Sequence, residues 1–182
     1  MADRVQEFDS LQADARFIFA VVYRGHWCPF CISYIRTLQT LEQPIHDAGG
    51  RTVIITAELE EHLPKVRSVT GYEGPAIVDP ENVLVKELKK RGLVDVAVSD
   101  MRLHRYDHGM AQPAVLVVGR DGTVLYSWAI VPALMNLQGA KDRPSLKEIW
   151  DNVKAKLDGE GPVHETYTTT GVIAFFWEKF WS

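Results

Sequence analysis

Residues 21–35, VVYRGHWCPFCISYI, decide how this chain is read. An apolar, β-branched run gives way here to an amphipathic one, and both cysteines of the protein, Cys28 and Cys31, stand at the junction. The pattern predicts a strand that ends by delivering Cys28 onto the first turn of a helix. Unpaired backbone N–H groups and the positive end of the helix dipole at that place favour thiolate over thiol. The thiolate is the nucleophile, and the first cysteine of a CxxC pair commonly has a lowered pKa, so the arrangement suits thiol–disulfide exchange. Cys31, one helical turn behind, is placed to close an intramolecular disulfide. Cys28 is expected to be open to water, with a pKa well below the free value of about 8.5.

Upstream, residues 17–23 are continuously apolar, as in a central strand covered on both faces, and residues 1–15 are a polar lead-in with a short helix near 5–11. Downstream, Tyr34, Leu38, Leu41 and Ile45 make one apolar helical stripe, kinked by Pro44 and ended by Gly49-Gly50. A second strand at 51–57 makes the opening βαβ, which implies a parallel pair. Residues 59–70 read as a weaker helix interrupted by Pro64, and residues 76–78 as an edge strand. Asp79-Pro80 supplies an N-cap and a first helical position, and Gly92 stops that helix.

Strands at 114–118 and 123–129 are joined across Arg120-Asp121-Gly122, a hairpin signal. Ser145 with Glu148 forms a capping box in front of a last helix. The irregular stretch 93–112 is an insertion of a length that is often functional. This order of elements predicts an α/β, thioredoxin-like fold over residues 16–160: a central mixed sheet of four to five strands flanked by helices, with an insertion before the C-terminal hairpin.

Composition sets outer bounds. The chain has 182 residues, a net charge of −4 and 46% hydrophobic residues, enough for one ordinary core. The charge balance gives no electrostatic case for nucleic acid or an anionic membrane. The polar N-terminus has no signal-peptide pattern, which makes the cytoplasm the expected compartment. No apolar run reaches the roughly 20 residues of a membrane span. The tail, residues 161–182, carries GVIAFFWEKFW at 171–181, too apolar to hang free. It is expected to pack on its own domain or on a second copy in a homodimer, with an interfacial membrane contact as the second reading.

YRGHWCPFC after an apolar strand, then VDPENVLVKELKKRG, then QPAVLVVGRDGTVLYSW, resembles the peroxiredoxin-like redoxins of the alkyl hydroperoxide reductase and thiol-specific antioxidant superfamily. The resemblance covers roughly residues 16–158 by motif order. It implies a proline before the hairpin's first strand, usually cis, facing the cysteine pair; here that is Pro113, after Gln112. It also implies a disulfide or peroxide as substrate, no cofactor beyond a redox-active disulfide, and glutathione or thioredoxin as the reducing partner thiol.

Two departures stand out. The threonine or serine that peroxiredoxins carry three residues before the peroxidatic cysteine is Gly25 here, and their arginine near the start of the hairpin strand is replaced by Gln112 and Pro113. Arg24 is the candidate to supply that charge from the other side, and His26 a candidate cationic neighbour of Cys28. The expected substrate-binding set is Trp27, Pro29, Phe30, Gln112 and Pro113, with Trp27 and Phe30 as an apolar collar.

Two other readings stay open. Cys28 and Cys31 with His104 and His108 can be written as a tetrahedral zinc set, or the CxxC as an iron–sulfur ligand pair, in a thioredoxin-fold binding module. The same fold can also serve a glutathione-linked pathway enzyme acting on a small molecule.

Overall fold

A computed structural model describes residues 3–100, 106–133 and 142–167 of the chain. Strand β1 (Phe17–Val22) is buried along its whole length, and alternate side chains feed two different cores. Ile18, Ala20 and Val22 face one layer with Phe8, Leu84, Val85 and Leu88. Phe17, Phe19 and Val21 face the other with Ile35, Leu38, Ile149 and Trp150. Covering both faces is what makes the strand read as a continuous apolar run rather than an alternating one.

The first layer comes from helices α1 (Arg4–Asp14) and α4 (Val83–Lys90), the second from α2 (Pro29–Asp47) and α5 (Leu146–Leu157). β2 (Gly50–Thr56) pairs parallel with β1, and β3 (Ala76–Val78) parallel with β2 at the edge. A short pair, β4 (Val98–Ser99) with β5 (Met110–Ala111), lies in the insertion. β6 (Ala114–Gly119) runs antiparallel to β1 on its other side, and β7 (Val124–Ala129) closes the hairpin. The main sheet is therefore five-stranded and mixed, in the order β3-β2-β1-β6-β7, with helices on both faces. That is the thioredoxin-like arrangement expected from the order of elements. Among the described residues, no helix is long and apolar enough to cross a membrane.

Local departures from the expected boundaries have simple causes. Pro64 does not interrupt its helix; it sits in the first turn of α3 (Leu63–Thr70), behind a 3₁₀ turn at Glu60–His62. Proline there sacrifices no intrahelical hydrogen bond. Pro44 lies in the last turn of α2, which continues through it to Asp47. Asp79 is not the residue next to a helix start at Pro80, because a turn intervenes and α4 begins at Val83. The Asp79 carboxylate still caps the helix across that turn, accepting from the N–H groups of Val83 at 2.9 Å and Leu84 at 2.8 Å. Asn82, at φ +57°, makes the turn and is buried. Its amide donates to the carbonyls of His108 and Gly109, which ties the insertion to the start of α4.

Candidate active site

The register of three strands gathers the site. β1 and β2 are parallel, with Val22 opposite Ile55, so the residues that follow them emerge at the same end of the sheet. Val22 is also opposite Ala114 of antiparallel β6, which brings Gln112 and Pro113 beside the corner at residues 23–28. Ligand and catalytic groups of open α/β sheets collect at the carboxyl ends of parallel strands for this reason.

Cys28 is the N-cap of α2, in extended conformation, with Pro29 at the helix start. Its Sγ accepts from the Cys31 N–H at 3.4 Å. Both cysteines are free thiols. They are not open to water, however: Cys28 is 2% exposed and Cys31 fully buried, both within the α2–α5 core. The pair lies in the same apolar cluster as Tyr23, Ile32 and Ile35, closed off from water, contrary to the expected accessible sulfur.

The charge also lies differently from expectation. Burial pushes the Cys31 thiol up, but the Cys28 thiol hydrogen bond, the Arg143 guanidinium and a backbone hydrogen bond from Arg24 outweigh it and bring Cys31 down to about 6. Cys28 moves the other way, because its proton is held by hydrogen bonding to Cys31 and its own burial penalises charge. The two sulfurs thus share one proton, and the anionic end of the pair rests on the inner sulfur.

Arg143 Nη2 lies 3.5 Å from Cys31 Sγ, with its guanidinium 5.5 Å above the Tyr34 ring centroid. The Tyr34 hydroxyl in turn donates to the Pro144 carbonyl at 2.7 Å, and Asp142 accepts from the Tyr167 hydroxyl, so both neighbours of Arg143 are held. A cleft of about 470 Å³ lined by Phe30, Ser33, Tyr34, Thr37, Arg143 and Pro144 adjoins this guanidinium.

Arg24 is 6% exposed, and its Nε and Nη2 donate to Gln112 Oε1 at 3.0 and 2.7 Å. Burial lowers its pKa, while the charge on Cys31 and Cys28 raises it, so guanidinium and sulfurs feel one another directly. Pro113 is buried and extended, accepting from Ile130 N–H at 3.0 Å, and Gln112 N–H donates to the Ala97 carbonyl. The described residues contain no cis peptide bond, so the Gln112–Pro113 bond is trans and not the cis bond that the resemblance implies. Of the expected substrate collar, Trp27 is half-buried, while Pro29 and Phe30 are exposed. Trp27 Nε1 donates to the Tyr106 hydroxyl, which donates to the Arg24 carbonyl at 2.6 Å.

His26 is engaged by Glu58 rather than by a sulfur. Glu58 Oε2 accepts the His26 N–H at 2.6 Å, and Oε1 lies 2.7 Å from His26 Nδ1. The His62 ring stacks on His26 with centroids 4.3 Å apart. Gly25 permits this seating. A Cβ there would lie 2.5 Å from the Glu58 carboxylate and 2.6 Å from the Tyr106 hydroxyl. The space that a side chain at this position would take is filled by two polar groups arriving from other elements.

Among the described residues, the three donors that come together as a possible metal set are His26, Glu58 and His62. Cys28, Cys31 and His108 do not form one. His108 is exposed, and His104 and the aromatic tail at 171–181 lie outside the described residues. The sequence reading missed Glu58, His62, Tyr106 and Arg143. Glu58 had a signal, an acid just past a parallel strand; Arg143, in an irregular loop before Pro144, had none.

No family model and no curated protein matches this chain. Solved structures do. The peroxidoxin BcpB of Mycobacterium tuberculosis is 14% identical with a TM-score of 0.59, over 87% of this chain and 86% of its own. AhpC of Mycobacterium bovis is 12% identical with a TM-score of 0.61, over 85% and 76%. Peroxiredoxin 6 of Arenicola marina is 16% identical with a TM-score of 0.60, over 82% and 64%. At these identities the likeness is one of fold, and the fold is that of the peroxiredoxins.

Proposed function

We propose that this chain is a peroxiredoxin-like dithiol oxidoreductase, in which Cys28 and Cys31 reduce a small oxidant of the hydroperoxide class and close an intramolecular disulfide. The observation that carries this reading is the sulfur pair itself: two free thiols at a helix start, with the Arg143 guanidinium 3.5 Å from one of them. Burial favours a small oxidant over a protein disulfide, because a peroxide needs the least opening of the first helical turn to meet a sulfur that is 2% exposed.

Transfer of the shared proton from Cys28 to Cys31 puts the charge on the sulfur at the helix N-terminus, where backbone N–H groups stabilise it. Cys28 attacks the terminal oxygen of the peroxide. An S–O bond forms, the O–O bond breaks, and the alkoxide takes the proton from Cys31 and leaves as the alcohol. Arg24 and Arg143 are the fixed cations beside the anionic centre through this step. Cys31, deprotonated, then attacks the Cys28 sulfenic sulfur; the S–S bond forms and hydroxide departs as water. The dithiol has supplied two electrons, and a thiol reductant, glutathione or a thioredoxin-type protein, returns them. The cleft beside Phe30 and Arg143 is the docking place for that reductant.

Single-turnover oxidation by hydrogen peroxide, by an alkyl hydroperoxide and by glutathione disulfide tests the reading. The expected result is faster reaction with a peroxide, loss of both thiols as a Cys28–Cys31 disulfide, and no such product in Cys28→Ser. Full turnover by Cys28→Ser, or thiols inert to all three oxidants, overturns it.

A further inference from the structure

On the other side of the same corner, three donors from three places in the fold converge. His26 comes from the loop after β1, Glu58 from the end of β2, and His62 from the 3₁₀ turn before α3. One ligand atom from each lies within 4.8 Å of the other two. We propose that His26, Glu58 and His62 form a binding site for one divalent transition-metal ion of the zinc class, distinct from the sulfur pair.

The donor chemistry decides the class. Two imidazoles and one carboxylate suit zinc, ferrous iron or nickel rather than magnesium or calcium, which prefer all-oxygen shells. Zn–N and Zn–O bonds of about 2.0–2.2 Å place tetrahedral donors roughly 3.3–3.5 Å apart. The carboxylate is the fixed member. Its side chain is 4% exposed, Oε2 is anchored by the His26 N–H, and the Glu58 N–H donates to Thr56 Oγ1 at 3.1 Å. The imidazoles are the adjustable members, with side chains 32% and 35% exposed, so their rings can close on an ion and water can complete its shell.

The ion enters between His26 Nδ1 and Glu58 Oε1, now 2.7 Å apart, and replaces their direct contact. The His62 ring now stacks on His26 with centroids 4.3 Å and planes 26° apart, so His62 turns about its side-chain torsions to bring a nitrogen onto an ion held by His26 and Glu58.

The test separates this site from the cysteines. Zinc titration by calorimetry on the full chain, in the Cys28→Ser/Cys31→Ser background, should give one ion per chain, and cobalt(II) bound there should show ligand-field bands without a thiolate charge-transfer band. His62→Ala in that background should weaken zinc by at least about 100-fold, since losing even an outer-shell partner costs roughly 10- to 100-fold. Glu58→Gln, which keeps the hydrogen-bonding shape, should do the same. If His62→Ala unfolds, as read by circular dichroism, His62→Gln takes its place. No stoichiometric zinc in the double-serine background, or binding that survives both His62 and Glu58 substitution, overturns the site. Neither outcome touches the peroxide reaction of the thiols, which is read on metal-free protein.

Discussion

The corner at residues 23–31 presents two regions of opposite character. On the α2 side, Cys28 and Cys31 are sealed from water, and their shared negative charge is met by guanidinium groups. On the β2 side, His26 and His62 are about one-third exposed, and the charge that holds them is a carboxylate. The difference lies in what each group requires. A buried thiolate survives only if fixed cations replace its lost hydration. An exchangeable cation needs the reverse, a fixed anion and a path to water. One glycine-containing loop serves both, because Gly25 leaves room for Glu58 to seat against it while Cys28, three residues on, begins the helix.

The sharpest way to break this comparison is to remove the outer sulfur. Cys28→Ser should abolish disulfide formation and cut peroxide consumption by several orders of magnitude, as loss of a nucleophile does, in a stopped-flow assay. Removing the cation comes next. Arg143→Met should raise the pKa of the pair and lower its reaction rate at pH 7 by about tenfold, with Arg143→Lys recovering part of it. The wild-type rate should itself report the same charge. Cys31 is held near 6 against Cys28, Arg143, Arg24 and the neighbouring hydroxyls of Tyr23 and Tyr106. The thiolate form therefore predominates above pH 6, and alkylation or oxidation should fall about tenfold per pH unit below it.

Smaller effects sharpen the β2 side. Gly25→Ala should displace the Glu58 carboxylate and destabilise the fold by about 1–3 kcal/mol, leaving the thiol pKa nearly unchanged. Asn82→Ala, which deletes two side-chain hydrogen bonds to the insertion, should lower stability by about 1–2 kcal/mol in denaturant unfolding.

Much of the scaffold was legible in the sequence because it rests on periodicity. The apolar run at 17–23, the Tyr34–Leu38–Leu41–Ile45 stripe and the Asp121-Gly122 turn each follow from local chemistry, and β1, α2 and the β6–β7 hairpin lie where those signals put them. The contact of Gln112 with Arg24 was not read in the sequence; it comes from the antiparallel register of β1 and β6.

What was not legible depends on distance in sequence. Nothing local to the 3₁₀ turn at Glu60–His62 announces that His62 will stack on His26, and nothing local to Arg143 announces a sulfur 3.5 Å away. Burial of Cys28 was missed for a related reason. The helix start was read from the junction of the apolar run with the amphipathic one, but the Arg143 side chain that lies against Cys31 comes more than a hundred residues later. Pro64 and Asp79 show the same limit at short range: the residue type was right and the position in the turn was set by neighbours.

The account stands on the claim that the two sulfurs act together as one ionised dithiol. The most direct test is pH-dependent ultraviolet absorbance of the thiolate in reduced, metal-free protein, followed by addition of one equivalent of peroxide and thiol counting. The account predicts one thiolate per chain appearing near pH 6, no second ionisation in the accessible range, and joint loss of Cys28 and Cys31 as an intramolecular disulfide. Two independent ionisations near the free-cysteine value, with both thiols left intact by peroxide, would contradict it.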